Sequence, residues 1–353
     1  MKIKLALLDQ DQSYLNRIVS AFSTKYADKF EIYSFTNSET ALLTVDKARI
    51  DVLVASDVFE LDLNSLPKRC GFAYFVSSPD VDTYKDQRAI CKFQKADLIY
   101  KQILSIYSDV AGTVAGLKFG DDACKVIAFT SPSGGCGASS MAAACAKHYA
   151  AQGKKVLYFN FEKFGSSDLF FSAEGQFDMS DIIFALKSKK ANLSMKLESC
   201  VKQDSSGVCF YSKTKVALDM MELSNDDIIR LLSEAKLSAS YDYIVLDVDF
   251  EMSKGTAKLL RQTHAIIWIG DGSEISNSKI VRAYEALSIR EQSEDSPLTN
   301  RISLIYNKFS NKTGKSVGLE SLKELGGAPR YEHATTAQVL EQLGKLSVFD
   351  KID

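Results

Sequence analysis

A glycine-rich stretch, FTSPSGGCGASS at residues 129–140, contains the residue types that could bind an anion. It lies between a β-branched apolar run and a pattern of small residues typical of a helix. Gly134, Gly135 and Gly137 would let the backbone approach a phosphate with its N–H groups turned inward, at the positive end of that helix. The spacing indicates a phosphate-binding loop.

This loop departs from the common pattern G-x-x-x-x-G-K-[ST] at the lysine. Ala138 stands at the lysine position, and Ser139 supplies the hydroxyl that would ligate Mg²⁺. The pattern G-G-x-G-x-S also occurs in ordinary glycine-rich turns, so the loop alone leaves both interpretations open. The rest of the chain has to decide between them.

Length and composition limit the possibilities. A chain of 353 residues exceeds what one hydrophobic core usually supports, so we expect two domains. Hydrophobic residues make up 46% and charged residues 25%, and the net charge of −2 gives no overall field for holding DNA or an anionic membrane. The seven cysteines contain no C-x-x-C pair, which argues against a zinc site. No apolar run approaches the ~20 residues that span a bilayer, so we expect a cytoplasmic protein.

The first part of the chain, residues 1–106, alternates strand and helix signals, which predicts an α/β domain with a doubly wound parallel sheet of the flavodoxin type. The predicted strands are Ile3 to Leu8, Glu31 to Phe35, Asp51 to Ala55, Phe72 to Val76 and Asp97 to Tyr100. The predicted helices are Tyr14 to Tyr26, one from Glu39, Asp82 to Phe93 and one from near Gln102. Residues 107–123 are rich in small residues and have no clear period, so they are predicted to be a linker.

Polar residues follow these strands at the edge where such sheets collect their functional groups. They are Asp9, Asp11, Ser56, Asp57, Ser77 and Lys101. The arrangement resembles a response-regulator receiver domain, which needs a carboxylate nucleophile at the end of its third strand. Ser56 occupies that position, and the side chain of Asp57 would point the other way on an extended strand. A receiver-shaped docking module is therefore favoured over a phosphorylatable receiver.

Residues 124–353 alternate again, and their continuous apolar strands predict a second parallel sheet covered on both faces. The clearest strands are Val126 to Phe129, Val156 to Asn160, Tyr243 to Asp247, Ala265 to Gly270 and Ile302 to Tyr306. The predicted helices are Ser139 to Gln152, Asp178 to Lys187, Asn225 to Leu237, Ser253 to Thr263 and Glu274 to Arg290.

Three polar residues follow strands of this second sheet. Glu162 could reach a magnesium ion or a water beside a terminal phosphate, although a lone acid in a loop is more often simply solvated. Asp247 ends the apolar run YIVLD in the manner of a Walker B strand, and an acid that abuts a buried strand needs a partner or a task. Asn307 stands where an amide could bind an adenine ring, or could cap the strand.

In this order the elements resemble the MinD/ParA class of deviant Walker A ATPases, whose loop reads K-G-G-x-G-K-[ST]. By that resemblance Ser133 and Ala138 stand at the two lysines, and Asn160 and Glu162 at the acidic pair after the second strand. The resemblance implies binding of ATP and Mg²⁺, with Ser139, Asp247 and Glu162 at the metal and Glu162 as the catalytic residue. The implied nucleotide-binding residues are Ser133, Gly134, Gly135, Cys136, Gly137, Ala138, Ser139, Ser140 and Asn307.

A degenerate receiver ahead of a MinD-like ATPase resembles the TadZ/CpaE family, which helps to place the Tad (Flp) pilus secretion apparatus. The resemblance extends to the closing segment from Ala328 to Glu332 and the terminal segment from Leu340 to Ile352. It implies a homodimer that assembles with other pilus proteins, without specific nucleic acid and with indirect membrane contact, at the cell pole or the inner face of the membrane. Because both lysines are missing, we expect ATP binding with slow hydrolysis or none, with Lys163 as the nearest substitute cation.

The alternative is an active ParA- or MinD-like ATPase that partitions cargo or positions a septum. That function would call for intact lysines together with a basic surface or a basic amphipathic tail. The tail from Leu340 to Lys351 has mixed charge and few lysines. The sequence therefore favours the localisation and assembly factor.

Overall fold

Two largely parallel sheets, one of six strands and one of eight, organise the residues that the structure describes. The structure is a computed structural model and describes residues 2–111, 124–188, 192–238, 241–291 and 297–352. The chain divides into unit 1, which comprises Met1–Gly116 and Phe184–Cys200, and unit 2, which comprises Leu117–Ile183 and Val201–Asp353. Among the helices of the described residues, none combines the length and the apolar character that crossing a bilayer requires.

Unit 1 contains the six-stranded sheet, in the order β2-β1-β3-β4-β6-β5. Its strands are β1 (Ile3–Leu8), β2 (Phe30–Phe35), β3 (Val52–Ser56), β4 (Gly71–Val76), β5 (Thr83–Tyr84) and β6 (Gln87–Cys91), and its first helices are α1 (Gln12–Lys25), α2 (Ser38–Lys47) and α3 (Ala96–Val110). Apart from the antiparallel β5–β6 pair, neighbouring strands are parallel. The flavodoxin-type order confirms the predicted fold class.

The predicted helix from Asp82 to Phe93 is wrong, because this segment forms the β5–β6 hairpin. Its two-residue turn, Lys85-Asp86, has φ values of 48° and 58°, as a type I′ hairpin turn requires. Lysine rarely adopts a positive φ, and the segment lacks the Asn-Gly or Asp-Gly pair that would have signalled the turn.

The predicted strand from Asp97 to Tyr100 is also wrong, because α3 already begins at Ala96 and runs through it. Its buried residues include Ile99, Ile103 and Ile106, which recur at helical spacing. The fifth parallel strand is therefore β6, and the lysine that follows it is Lys92 rather than Lys101. Since α3 ends at Val110, it extends into the range predicted as a linker, and residues 112–123 of that range lie outside the described residues.

Unit 2 contains the eight-stranded sheet, in the order β14-β13-β12-β7-β11-β8-β10-β9. Its strands are β7 (Lys125–Thr130), β8 (Val156–Asn160), β9 (Lys202–Gln203), β10 (Cys209–Phe210), β11 (Tyr243–Asp247), β12 (Ala265–Gly270), β13 (Ile302–Phe309) and β14 (Lys323–Pro329). The helices of this half of the chain are α4 (Ala138–Ala151), α5 (Met179–Ser188), α6 (Leu193–Cys200), α7 (Leu218–Met221), α8 (Asn225–Ser238), α9 (Lys254–Leu260), α10 (Glu274–Arg290) and α11 (Thr336–Leu343).

The centre of this sheet positions the candidate site. Strand β7 lies between β11 and β12, and β8 pairs with β11 on its other side, all in parallel. The loops that follow these strands therefore meet at one edge. Alanines and a cysteine of α4 are fully buried, so the helix after the glycine-rich loop packs closely against the sheet. The five predicted strands are confirmed, whereas the short β9 and β10, the glycine-containing β14 and helices α6, α7 and α11 were not predicted.

Helix α6 comes from the second half of the sequence but belongs to unit 1. The Glu198 carboxylate accepts hydrogen bonds from the Tyr100 hydroxyl at 2.8 Å and the Lys29 ammonium at 2.9 Å. The Lys196 ammonium donates to the buried Ser105 hydroxyl at 2.8 Å, and Met195 packs against the apolar core of the unit. These contacts attach α6 to α3 and to the start of β2.

Candidate functional site

The glycine-rich loop connects the end of β7 to the start of α4, as the sequence predicts. Gly135 and Gly137 have φ values of 82° and 84°, which other residues adopt only with strain. A Cβ atom on Gly137 would also lie 2.5 Å from the Asn307 amide nitrogen. Inside the loop, the Ser131 hydroxyl lies 2.6 Å from the carbonyl oxygens of Ser133 and Ile269. The loop is therefore held in one conformation by its own residues and its neighbours.

The two positions that hold lysines in the MinD/ParA pattern carry no charge here. Ser133 is buried and Ala138 is the first residue of α4. Lys163, considered from the sequence as a substitute, points its ammonium towards Glu251, 3.9 Å from the carboxylate. The structure thus pairs Lys163 with an acid rather than with the loop.

A buried carboxylate lies beneath the loop. Asp247, at the end of β11, has 0% of its surface exposed. Its Oδ2 accepts hydrogen bonds from the Tyr158 hydroxyl at 2.6 Å and the Asn160 amide at 3.0 Å, whereas its Oδ1 has no hydrogen-bond partner among the described residues. Burial, and next the charge of Glu162, raise the pKa of Asp247 well above its usual range. A buried carboxyl group with an unpaired oxygen is the feature that a bound cation would satisfy, because the cation would favour the ionised form.

Ser139 and Glu162 meet beside this aspartate. The Ser139 hydroxyl donates to Glu162 Oε2 at 2.9 Å, and the amide of Asn160 lies 3.3 Å from the same oxygen. Asn160 Oδ1 in turn accepts the Glu162 backbone N–H at 3.0 Å, which fixes the acid over the end of β8. The structure therefore brings together the hydroxyl and both carboxylates proposed as magnesium ligands, all of them oxygen donors of the kind Mg²⁺ prefers.

These residues fit a magnesium ion that is shared with a phosphate group. The phosphate is needed because, within the described residues, no group of three or more His, Cys, Asp or Glu side chains is arranged to hold a metal by itself. A magnesium ion held at this site would supply positive charge that neutralises a bound phosphate. Ser139 would ligate it directly, and Asp247 and Glu162 would orient its bound waters or ligate it.

Asn307 lies behind the loop. It is 3% exposed, and its Nδ2 donates to the carbonyl of Cys136 at 2.9 Å. The side-chain amide therefore already supports the loop backbone. Tyr158 was missed by the sequence analysis, although it lies two residues before Asn160 on β8 and so shares a face of the sheet with it.

Unit 1 has a second site at the carboxyl edge of its own sheet. The buried Asp9 forms an ion pair with Lys92, whose ammonium lies 2.5 Å from Oδ2 and donates to the Ser56 hydroxyl at 3.0 Å. Asp11 caps α1 by accepting the Tyr14 backbone N–H at 3.0 Å. The position of a receiver's phosphorylated aspartate thus holds a fully buried serine, with an ammonium already in contact with it.

The comparisons with known proteins agree with both folds. Residues 1–108 match the family model described as "TadZ-like, receiver domain". A ParA family ATPase from Chlorobium tepidum superimposes with a TM-score of 0.50 and 19% identity, over 65% of this chain and 96% of that one. No curated protein sequence matches the chain.

Two further solved structures are similar at lower scores. MinD of Aquifex aeolicus in its complex with MinC has a TM-score of 0.47 and 18% identity, covering 61% of this chain and 86% of that one. MinD of Pyrococcus horikoshii, solved with Mg-ADP, has a TM-score of 0.47 and 13% identity, covering 63% of this chain and 94% of that one. At such identities the likeness describes the fold.

We predict that unit 1 takes up no phosphoryl group from acetyl phosphate with Mg²⁺, because Ser56 cannot form an acyl phosphate and Lys92 already neutralises Asp9. Intact-protein mass spectrometry of the full chain, with an active receiver domain as the positive control, gives the readout. A stable adduct of one phosphoryl mass that disappears in Asp57→Asn would contradict the assignment of Ser56.

Proposed function

We propose that this chain, which joins a TadZ-like receiver domain to a MinD/ParA-type ATPase fold, is an ATP-binding localisation and assembly factor for a Tad (Flp) pilus. The observation that carries the proposal is the pairing of that receiver domain with a loop, hydroxyl and buried acid arranged for a magnesium nucleotide. The proposal includes a cytoplasmic location, at the cell pole or the inner face of the membrane, and contact with other pilus assembly proteins.

The support for nucleotide binding comes from three features. The loop has the left-handed glycines that turn backbone N–H groups inward, at the N-terminus of a helix of 14 residues. Ser139 stands at the magnesium position, 2.9 Å from Glu162. Asp247 presents an unpaired buried oxygen at the same edge of the sheet. Backbone amides and Mg²⁺ can hold phosphates without the lysines.

The support for slow turnover is the lack of a cation on the loop itself. An arginine or lysine that stabilises a transferring phosphoryl group contributes on the order of 10³–10⁵ in rate. Neither Ser133 nor Ala138 can supply that charge. ATP therefore acts in this proposal as a ligand that fixes a state of the protein.

We also propose a homodimer with the two phosphate loops facing each other, as in the MinD/ParA class. Large apolar side chains are exposed on the segments that follow β8 and β10, at the edge of the sheet that carries the phosphate loop: Phe164, in a loop, is 76% exposed, and Leu218, at the start of α7, is 65% exposed. The two loops are tied together, since Asp168 accepts the Lys213 backbone N–H at 2.7 Å. Such a surface can supply the contacts that a lysine crossing to the partner would otherwise provide.

The first expected outcome is binding of ATP·Mg²⁺ by the full chain, measured by calorimetry. Gly137→Val should abolish it, because the left-handed backbone and the close Asn307 amide leave no room for a side chain. Gly134→Ala is the matched control in the same loop, since its Cβ would meet no atom within 4 Å. Absence of binding by the wild type would remove the basis of the proposal.

The same pair of variants tests the role in the cell. In a strain that lacks the native chain, Gly134→Ala should restore Tad pili and Gly137→Val should not. A deletion strain that still assembles these pili would rule out the assembly role.

Turnover should stay below about 1 s⁻¹, the lower end for ordinary enzymes. Ala138→Lys should raise it, because Ser139, Glu162 and Asp247 are already in place. Phosphate release gives the rate, and Ala138→Met controls for side-chain size. Fast release by the wild type would show that another group supplies the charge.

The full chain should dimerise when ATP·Mg²⁺ is bound, as measured by light scattering. Phe164→Glu should weaken the dimer, because it places a charge on the exposed apolar surface of each partner. Phe93→Glu is the control, since Phe93 is similarly exposed, at 73%, on unit 1. Equal loss in both variants, or loss in Phe93→Glu alone, would contradict the proposed interface.

A further inference from the structure

Strand β13 ends in an irregular segment beside the phosphate loop. Tyr306 is paired with Gly327 and Phe309 with Pro329, so three steps along β13 oppose two along β14. Strand β13 therefore has one extra residue here. The resulting bulge comprises Asn307 and Lys308. Bulges of this kind are frequent next to functional sites, where they change the direction of a side chain.

Lys308 has a backbone conformation that is costly for its type. Its φ is 58°, in the left-handed region that favours glycine. Because its side chain is exposed, no free energy of burial offsets the strain. Strain at a non-glycine residue persists where the surrounding contacts require it.

Two consecutive residues of this bulge contact two consecutive carbonyls of the phosphate loop. The Lys308 ammonium donates to the carbonyl oxygen of Gly135 at 2.8 Å. The Asn307 amide donates to that of Cys136 at 2.9 Å. Asn307 Oδ1 accepts the Lys308 backbone N–H at 3.0 Å, so the orientation of the amide group is itself fixed.

These contacts determine where the loop amides point. A trans peptide is planar, with its N–H directed opposite to its C=O. Because the carbonyls of Gly135 and Cys136 are held towards β13, the N–H groups of Cys136 and Gly137 are turned away from it. A standard P-loop has a lysine of its own to hold an anion, whereas this loop depends on its amides.

We infer that Asn307 and Lys308 are positioning residues that clamp the phosphate loop in its anion-binding conformation from outside the loop. The ligand in this inference, a polyphosphate, rests on the proposed function, but the clamp itself is a property of the protein without nucleotide. The clamp keeps the loop preorganised, so that the loop loses less conformational entropy when the anion binds. It also accounts for the left-handed backbone of Lys308, which directs the side chain back to Gly135.

The first test is amide hydrogen exchange in the nucleotide-free full chain. Lys308→Met should speed exchange about tenfold at Ser133 and Met141, whose N–H groups donate hydrogen bonds inside and just after the loop, the value expected for losing one hydrogen bond to a charged group. Lys308→Arg should restore slow exchange, and Lys312→Met, an exposed lysine four residues on, should leave it unchanged. Unchanged exchange in Lys308→Met would overturn the inference.

Lys308→Gly separates positioning from general stability. Glycine adopts a φ of 58° without strain, so the thermal midpoint should be no lower than in the wild type. Exchange at Ser133 and Met141 should nevertheless rise as in Lys308→Met. If exchange rises only in variants whose thermal midpoint falls, Lys308 has a structural role and the clamp is refuted.

The second test is calorimetry with ATP·Mg²⁺ and with inorganic tripolyphosphate·Mg²⁺. Lys308→Met should weaken both by about tenfold, because the clamp acts through the phosphate-binding amides. A loss confined to ATP would mean that Lys308 contacts the nucleoside, and would overturn the inference. If the wild type binds neither probe, the proposed function fails while the exchange experiment still decides on the clamp.

Discussion

A carboxylate buried at the end of a central strand is the constraint around which unit 2 is built. Removing an anion from water is costly unless hydrogen bonds and an opposite charge replace the lost hydration. Tyr158 and Asn160 supply hydrogen bonds to one oxygen of Asp247, and the other oxygen is left without a partner in the described residues. Tyr158 and Asn160 contact Asp247 directly, and Asn160 connects it to Glu162, which accepts a hydrogen bond from Ser139.

The two units differ in how they accommodate a buried aspartate. Both have a buried aspartate at the carboxyl edge of a parallel sheet, Asp9 in unit 1 and Asp247 in unit 2. In unit 1 the chain provides the cation, since Lys92 lies 2.5 Å from Asp9 and also bonds Ser56. In unit 2 no lysine or arginine of the described residues is paired with Asp247, and burial, followed by the charge of Glu162, raises the pKa of that carboxyl well above its usual range. The first site is closed by the chain's own charge, whereas the second keeps an unpaired carboxyl oxygen for the metal ion of the proposed function.

The sequence predicted what depends on long apolar runs and on glycine spacing. Such patterns correctly predicted the central strands β7, β8, β11 and β12, the loop before α4 and the acids that follow the strands. It failed at Thr83 to Cys91, where two consecutive residues with positive φ, Lys85 and Asp86, form a hairpin turn, and it therefore missed strand β6, which Lys92 follows. Contacts between residues far apart in sequence, such as Lys308 with Gly135, have no local pattern at all.

Helix α6 belongs to unit 1, although it follows the first strands of unit 2 in the sequence. The match to the TadZ-like receiver domain ends at residue 108, but unit 1 also includes residues 184–200. Glu198 is 98 residues from Tyr100 and 169 residues from Lys29 in sequence, and its carboxylate accepts a hydrogen bond from each of them. Recombination that exchanged the ATPase half between relatives at the linker would import a foreign α6 into the receiver. Substitutions at Lys29, Tyr100 and Glu198 should therefore be inherited together, and the two halves should evolve as a single module.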